Sequence, residues 1–277
     1  MGEITFNKNK ENKENKQSKE INKKINKISG ILWINLDISK DRKHNMKKIL
    51  SDITIPNYRV RAVDGINFNI VNNFIDKKNS EYINLSKNLK NSEFALTLSH
   101  FKVFHKIRKL EGEYFMVCED DISLENIKYF KNIDLKKIIE EAPKFDILTL
   151  YKTKLKKLKK LYTDINSFNS KEKFDHIWGS VAYIITKNFA KDMCEIIKYN
   201  KSTKKFTIHT KVHITPSDNF IYSFGNSYTY KYNFISTNIN NSLIHSKKKN
   251  LEEHLSLHNK SNINQLKYII EDLYNQK

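Results

Sequence analysis

The stretch Tyr114-Phe115-Met116-Val117-Cys118-Glu119-Asp120-Asp121-Ile122 constrains the fold more than any other part of the chain. A short apolar run with β-branched and aromatic members reads as a buried strand. It ends in three successive carboxylates, which repel one another and cannot be buried without a cation or donors to offset the cost. Open α/β sheets bind ligands outside the carboxyl ends of their strands. Acids delivered there have two readings. One is a solvated acidic turn, the other an oxygen-ligand site for a hard divalent cation.

At 277 residues the chain can hold one large α/β domain or two small ones. No stretch has the apolar length of a transmembrane helix, and the first residues lack the apolar centre of a signal peptide. Cys118 and Cys194 read as reduced core residues rather than a disulfide. The expectation is a soluble, cytoplasmic protein. A net charge of +19 raises a nucleic-acid reading. Its distribution weakens that reading, because the excess is lysine scattered between a polar tail, Lys152–Lys160 and Lys247–Lys249. Arginine, which recognises bases and phosphates through two parallel bonds, is scarce. Such a surface also suits acidic small molecules.

Residues 1–28 are Lys/Asn/Glu-rich and too polar to bury much surface, so they read as a disordered basic tail, with a frayed helix late in it as the alternative. Ile31–Leu36 reads as a first strand, followed by a helix to about Leu50 capped by Asp37 or Ser39. Tyr58–Val63 alternates as a second strand closed by Asp64-Gly65, giving a βαβ unit. Residues 66–90 read as an irregular insertion. Ser92 is the expected cap of a helix to about Leu110, with Phe94, Leu98 and Phe101 inward. Glu93, Thr97 and His100 share its second, more polar face. After the carboxylate strand, Phe145–Tyr151 and Ile177–Ile185 read as further strands, the latter with Gly179-Ser180 where backbone can approach a ligand. The lysine-rich segment between them reads either as an amphipathic helix or as a mobile basic loop. Asn188 begins a helix, residues 206–214 look extended, and Asp218 opens a short helix. Tyr228, Tyr230, Tyr232 and Phe234 alternate as a strand, and Ile263, Leu266, Ile270 and Leu273 form the stripe of a C-terminal helix. The expected organisation is a tail at 1–28, a catalytic domain at 29–250 and an amphipathic helix at 251–277.

Six of these segments, in order, resemble glycosyltransferase family 25, which includes lipooligosaccharide and procollagen galactosyltransferases. They are Trp33-Ile34-Asn35-Leu36-Asp37 with Ser39 and Arg42; Arg61-Ala62-Val63-Asp64-Gly65, set against an R-x-x-A-x-D-G element; Ser92–His100, with Ser92 and Ala95 where the family has glycines; Glu119-Asp120-Asp121; Gly179–Ile185 followed by Ala190; and Pro216-Ser217-Asp218. The resemblance implies an α/β, GT-A type nucleotide-diphosphosugar transferase fold with a mostly parallel central sheet. It further implies an inverting reaction using Mn²⁺ or Mg²⁺ and a UDP-sugar donor, with a glycan, lipid-linked saccharide or protein hydroxyl as acceptor. On that reading Asp121 is the main metal ligand, with Glu119 and Asp120 completing the shell or holding the ribose, and His245 a further ligand. Asn35, Leu36, Arg42, Arg61, Asp64 and Gly65 line the nucleotide end. Glu93, Ser99 and His100 contact donor phosphate or acceptor, with Gly179 and Ser180 beside them. Asp218 is the general base, or else an ordinary N-terminal helix carboxylate. Galactose is the first expectation for the sugar, with glucose and N-acetylglucosamine open. The competing readings are a catalytically degenerate transferase fold, a nucleic-acid-binding protein, and a nucleotidyltransferase, the last lacking any Gly-rich phosphate loop.

Overall fold

The computed structural model describes residues 18–66, 73–80, 85–171, 176–209, 213–238 and 248–274, side chains of 248–254 excepted. Its centre is β1 (Gly30–Asn35), a six-residue strand buried along its whole length. It pairs in parallel with β2 (Asn57–Arg61) on one side and with β3 (Tyr114–Glu119) on the other. Strands buried on both faces are continuous apolar runs rather than alternating ones, and both β1 and β3 read that way. The full sheet adds β5 (Ile147–Thr149), β6 (Tyr162–Asp164), β7 (Ala182–Thr186) and β10 (Ser227–Tyr230) in the order β2-β1-β3-β7-β5-β10-β6. Strands β2, β1, β3, β5 and β10 run one way, and β7 and β6 run against them. The direction of β7 is decisive for the site: its first residues lie at the same rim as the last residues of β3 and β5.

Alternate residues of β1 and β3 face opposite layers, as the pleat requires. Leu32, Ile34, Phe115 and Val117 enter one core, together with Phe94, Leu98, Phe101 and Phe104 of α3 (Asn91–Ile107). That core also takes α6 (Lys187–Ile196), from Phe189 to Cys194, and α7 (Ser217–Tyr222). Ile31, Trp33, Met116 and Cys118 enter the other core, with Met46 and Leu50 of α2 (Lys40–Leu50) and Ile138 of α4 (Leu135–Glu141). A short helix, α5 (Ile165–Lys171), follows β6, and two small ladders complete the fold: β4 (Ile122–Ser123) with β11 (Ser236–Thr237), and β8 (Ile197–Asn200) with β9 (Lys205–Ile208).

Several boundaries differ from the sequence reading. α3 begins one residue before Ser92, and Glu93 Oε2, in its first turn, accepts from the N–H of Lys90, the residue before the helix, at 2.9 Å. Ser92 is instead the residue against which Gly65 packs: a Cβ on Gly65 would lie 2.6 Å from Ser92 Cα. Residues 18–24 form a helix, α1, and Ile25 and Ile28 are buried in the second core. The tail expected at 1–28 is therefore folded onto the domain from 18 onward, where the Lys24 ammonium reaches the carbonyls of Phe130 and Lys131. The lysine-rich segment is neither a helix nor a solvated loop at its start. Lys152 and Lys154 are buried, and Lys152 Nζ donates to Tyr230 O at 2.9 Å and Asn233 Oδ1 at 3.1 Å.

The C-terminal helix α8 (Lys248–Ile269) ends in a π-turn at Ile270–Tyr274. Its buried face is not the expected apolar stripe. Ile263 is exposed, whereas His258, Ser261, Gln265 and Ile269 point inward. The physical reason is the segment it covers. Residues 152–155 have left the sheet, so Ser261, Asn264, Gln265 and Tyr268 of α8 hydrogen-bond their backbone, since buried peptide groups need partners. No helix among the described residues is long and apolar enough to cross a membrane.

Candidate active site

The site lies at the rim where β1, β3 and β5 end and β7 begins. Glu119 closes β3, and its N–H donates to Val181 O at 2.9 Å, which holds the segment before β7 against the three acids. Behind Asp121, the Asn238 N–H donates to its carbonyl at 2.7 Å, just beyond β11. Arg42, Lys48, Asp120, Asp121 and Asn238 line a cavity of ≈ 240 Å³ here. A larger cavity, ≈ 390 Å³, lies at the opposite rim where β3 starts and β7 ends, away from the acids.

The three carboxylates have separate partners. Asp120 is engaged through both oxygens: Asn35 Nδ2 donates to Oδ2 at 2.6 Å, and Arg42 NH1 to Oδ1 at 2.9 Å. Arg42 NH1 also reaches Asp121 Oδ2 at 3.2 Å. The other oxygen of Asp121, Oδ1, is buried with no hydrogen-bond partner. Glu119 accepts from Ser180 Oγ at 3.2 Å. Burial and the charges of Asp121 and Asp120 push the Glu119 carboxyl well above the usual range. Burial likewise pushes Asp121 up, offset in part by Arg42. Arg42 loses solvent too, but the attraction of Asp121 and Asp120 outweighs that loss and raises its pKa. One guanidinium among three acids leaves the cluster short of positive charge.

Ser180 carries the cluster across to α7. Its Oγ lies 3.0 Å from Ser217 Oγ, and the next residue, Asp218, sits in the first turn of that helix. Burial raises the Asp218 carboxyl, partly offset by its own N–H and those of Gly179 and Asn219. Gly179, at φ +127, is in the region that favours glycine. Its carbonyl accepts from Tyr222 Oη at 2.7 Å, and a Cβ there would meet the Tyr151 ring at 3.1 Å.

Other residues singled out from sequence sit elsewhere. Ser99 Oγ accepts from the Val63 N–H at 2.8 Å and donates to Ala95 O at 2.7 Å, tying the end of β2 to α3. His100 is fully buried, its Nδ1 2.8 Å from Tyr183 Oη and its Nε2 without a partner. Glu93 caps α3. Leu36 O accepts the turn bond from Ser39 N at 3.1 Å, and Asp64 Oδ1 accepts from Ile66 N at 2.9 Å. Arg61 is largely exposed and pairs with Asp37. The arginine that reaches the site is Arg59: its Nε donates to Asn35 Oδ1 at 2.8 Å and its NH2 to Asp37 Oδ1 at 2.6 Å. Counting back from Ala62, the R-x-x-A-x-D-G spacing itself falls on Arg59. Ser217 had no sequence signal beyond standing next to Asp218. His245 lies outside the described residues.

A carboxylate cluster at the carboxyl ends of a mostly parallel sheet, flanked by helices on both faces, defines this as an α/β protein of the GT-A glycosyltransferase type. The family model for glycosyltransferase family 25 (LPS biosynthesis protein) matches residues 28–221, and the chain belongs to that family. It is thus a glycosyltransferase, with a sugar donor and a glycan acceptor. No curated protein matches it. The match takes in every acid described above, while α8 lies beyond it.

Proposed function

We propose that the protein transfers a hexose, galactose before glucose or N-acetylglucosamine, from a UDP-sugar to a hydroxyl of a glycan or lipid-linked saccharide, with inversion and with a divalent cation held at Asp121. The observation that carries this reading is the partnerless Oδ1 of Asp121 beside a cavity that Asp120 and Asp121 line. A buried carboxylate oxygen without a donor is costly, and Mn²⁺ or Mg²⁺ would remove that cost. Among the described residues, no group of three or more His, Cys, Asp or Glu side chains is gathered as a ready-made cage. A cation at Asp121 would therefore take its remaining ligands from water and substrate phosphate. When bound, the ion supplies Lewis-acid stabilisation of the diphosphate leaving group.

The rest is the work of the chain's own groups. Arg42 holds the two aspartates in place and adds positive charge where the diphosphate would lie. Asp218, next in the chain to the Ser217 that meets Ser180, would take the proton of the acceptor hydroxyl. Its raised pKa makes it a better base than an exposed aspartate. The backbone N–H bonds of the helix start hold the carboxylate in position.

The test is UDP release from a panel of UDP-sugars with Mn²⁺ and a saccharide acceptor. Asp121→Asn should lower turnover at least 100-fold with its unfolding transition intact, and Asp218→Asn should lower kcat far more than it raises KM. Normal turnover by Asp121→Asn would remove the assignment.

A further inference from the structure

We infer that Arg59, on the edge strand β2, is a positioning residue that decides which acid of the cluster is open to a cation. The inference rests on the proposed role of Asp121. An asparagine amide has one accepting and one donating end, and its neighbours determine which way it faces. Arginine can only donate. With Arg59 Nε 2.8 Å from Asn35 Oδ1, the Asn35 NH₂ group is turned the other way, toward Asp120 Oδ2 at 2.6 Å and Ser39 O at 3.2 Å. Asp37, which accepts from the Arg59 NH2 at 2.6 Å, holds the guanidinium from its far side.

The consequence runs along the chain of bonds. Asp120 Oδ2 is taken by Asn35, and Oδ1 by Arg42. Both its oxygens thereby carry a donor, which holds Asp120 in place and leaves Asp121 Oδ1 as the oxygen with none. Arg42 then reaches one oxygen of Asp121 only, and Oδ1 stays open. With Arg59 removed, Asn35 Oδ1 loses its donor, and the amide is anchored only through its NH₂ bonds to Asp120 Oδ2 and Ser39 O. Asp120 would then shift, and the Arg42 bridge with it. A lysine at 59 supplies charge but no planar fork to reach Asn35 and Asp37 together.

The experiment is a double-mutant cycle of Arg59→Gln and Asn35→Ala, with Arg59→Lys alongside, read by Mn²⁺ binding to the nucleotide-free protein and by urea unfolding without metal. Loss of a group that orients a ligating carboxylate typically weakens metal binding about 10- to 100-fold. Each single variant should therefore bind Mn²⁺ about 10-fold more weakly. The double variant should be no weaker than either single one, and Arg59→Lys should not restore binding. A simple charge effect has the opposite sign, since removing a cation would tighten Mn²⁺, and that result overturns the proposal. Losses that multiply to about 100-fold overturn it as well. If the wild type binds no Mn²⁺, the metal reading of Asp121 fails on its own account. The unfolding cycle still decides the pair: coupled substitutions uphold the Arg59–Asn35 orientation, and independent ones sink it.

Discussion

His100 shows what a single side chain can and cannot signal. Its spacing from Glu93 and Thr97 places it on the more polar face of α3, yet that face is covered by β7, and Tyr183 Oη is its one hydrogen-bond partner. Burial lowers its pKa to about 3. The unfolded chain, with an ordinary histidine near 6.5, takes up the proton first. Stability contributed by neutral His100 is therefore complete above about pH 6.5 and is lost as pH falls toward 3, with a slope of up to about 1.4 kcal/mol per pH unit. His100→Gln keeps an acceptor for Tyr183 but cannot titrate. Its melting temperature should fall less steeply than the wild type's between pH 6.5 and 4, as followed by calorimetry.

At the scale of elements, α8 and its π-turn depend on polar contacts more than on apolar burial. Asp272 is the clearest case. Burial alone would raise its carboxyl, but hydrogen bonds from Lys157, Tyr232 and Lys231 outweigh it and pull the pKa down to about 2. The Tyr232 bond is 2.7 Å and the Lys231 bond 3.1 Å. A lowered carboxylate pKa means stability that is present above about pH 4 and lost as pH falls through 2. The group is partly solvated, water screens these bonds, and together they contribute about 1 kcal/mol. Asp272→Asn should cost that much by urea denaturation at pH 7, and the gap should close near pH 2. Ser261 has a related role: it accepts from the Lys154 N–H at 3.2 Å, so the helix finishes the hydrogen bonding of a segment that left the sheet.

For the whole molecule, the unmet need is positive charge at one rim. The chain is strongly cationic overall, yet three acids are gathered around Arg42. A ligand that binds only the native state adds stability as RT ln(1 + [L]/Kd), about 2.7 kcal/mol at 100 times Kd. Mn²⁺ with UDP should therefore raise the melting temperature of the wild type. The shift should vanish on chelation and be absent in Asp121→Asn, as read by differential scanning fluorimetry. An equal shift in that variant would place the ion elsewhere.

The residues that stand together in sequence were legible from it. β1, β3, α3 and the start of α7 follow from apolar runs, helical spacing and the Pro216-Ser217-Asp218 helix start, and the acids of the site are contiguous. Family membership could also be read there, because its motifs are short and lie in order. What sequence could not supply was pairing in space. Glu119 meets Ser180, 61 positions away, because β7 runs in reverse and starts at its rim, and Ser180 in turn meets Ser217, 37 positions further on, at the start of α7. Arg59 and Arg61 share one face of β2, because alternate residues of a strand point the same way, and only the structure shows that Arg59 bonds Asn35 while Arg61, at the strand's end, is exposed and pairs with Asp37. The polar inner face of α8 is of the same kind. A helix read alone promises an apolar stripe, whereas the backbone it must cover determines that serine, asparagine and glutamine lie against the core.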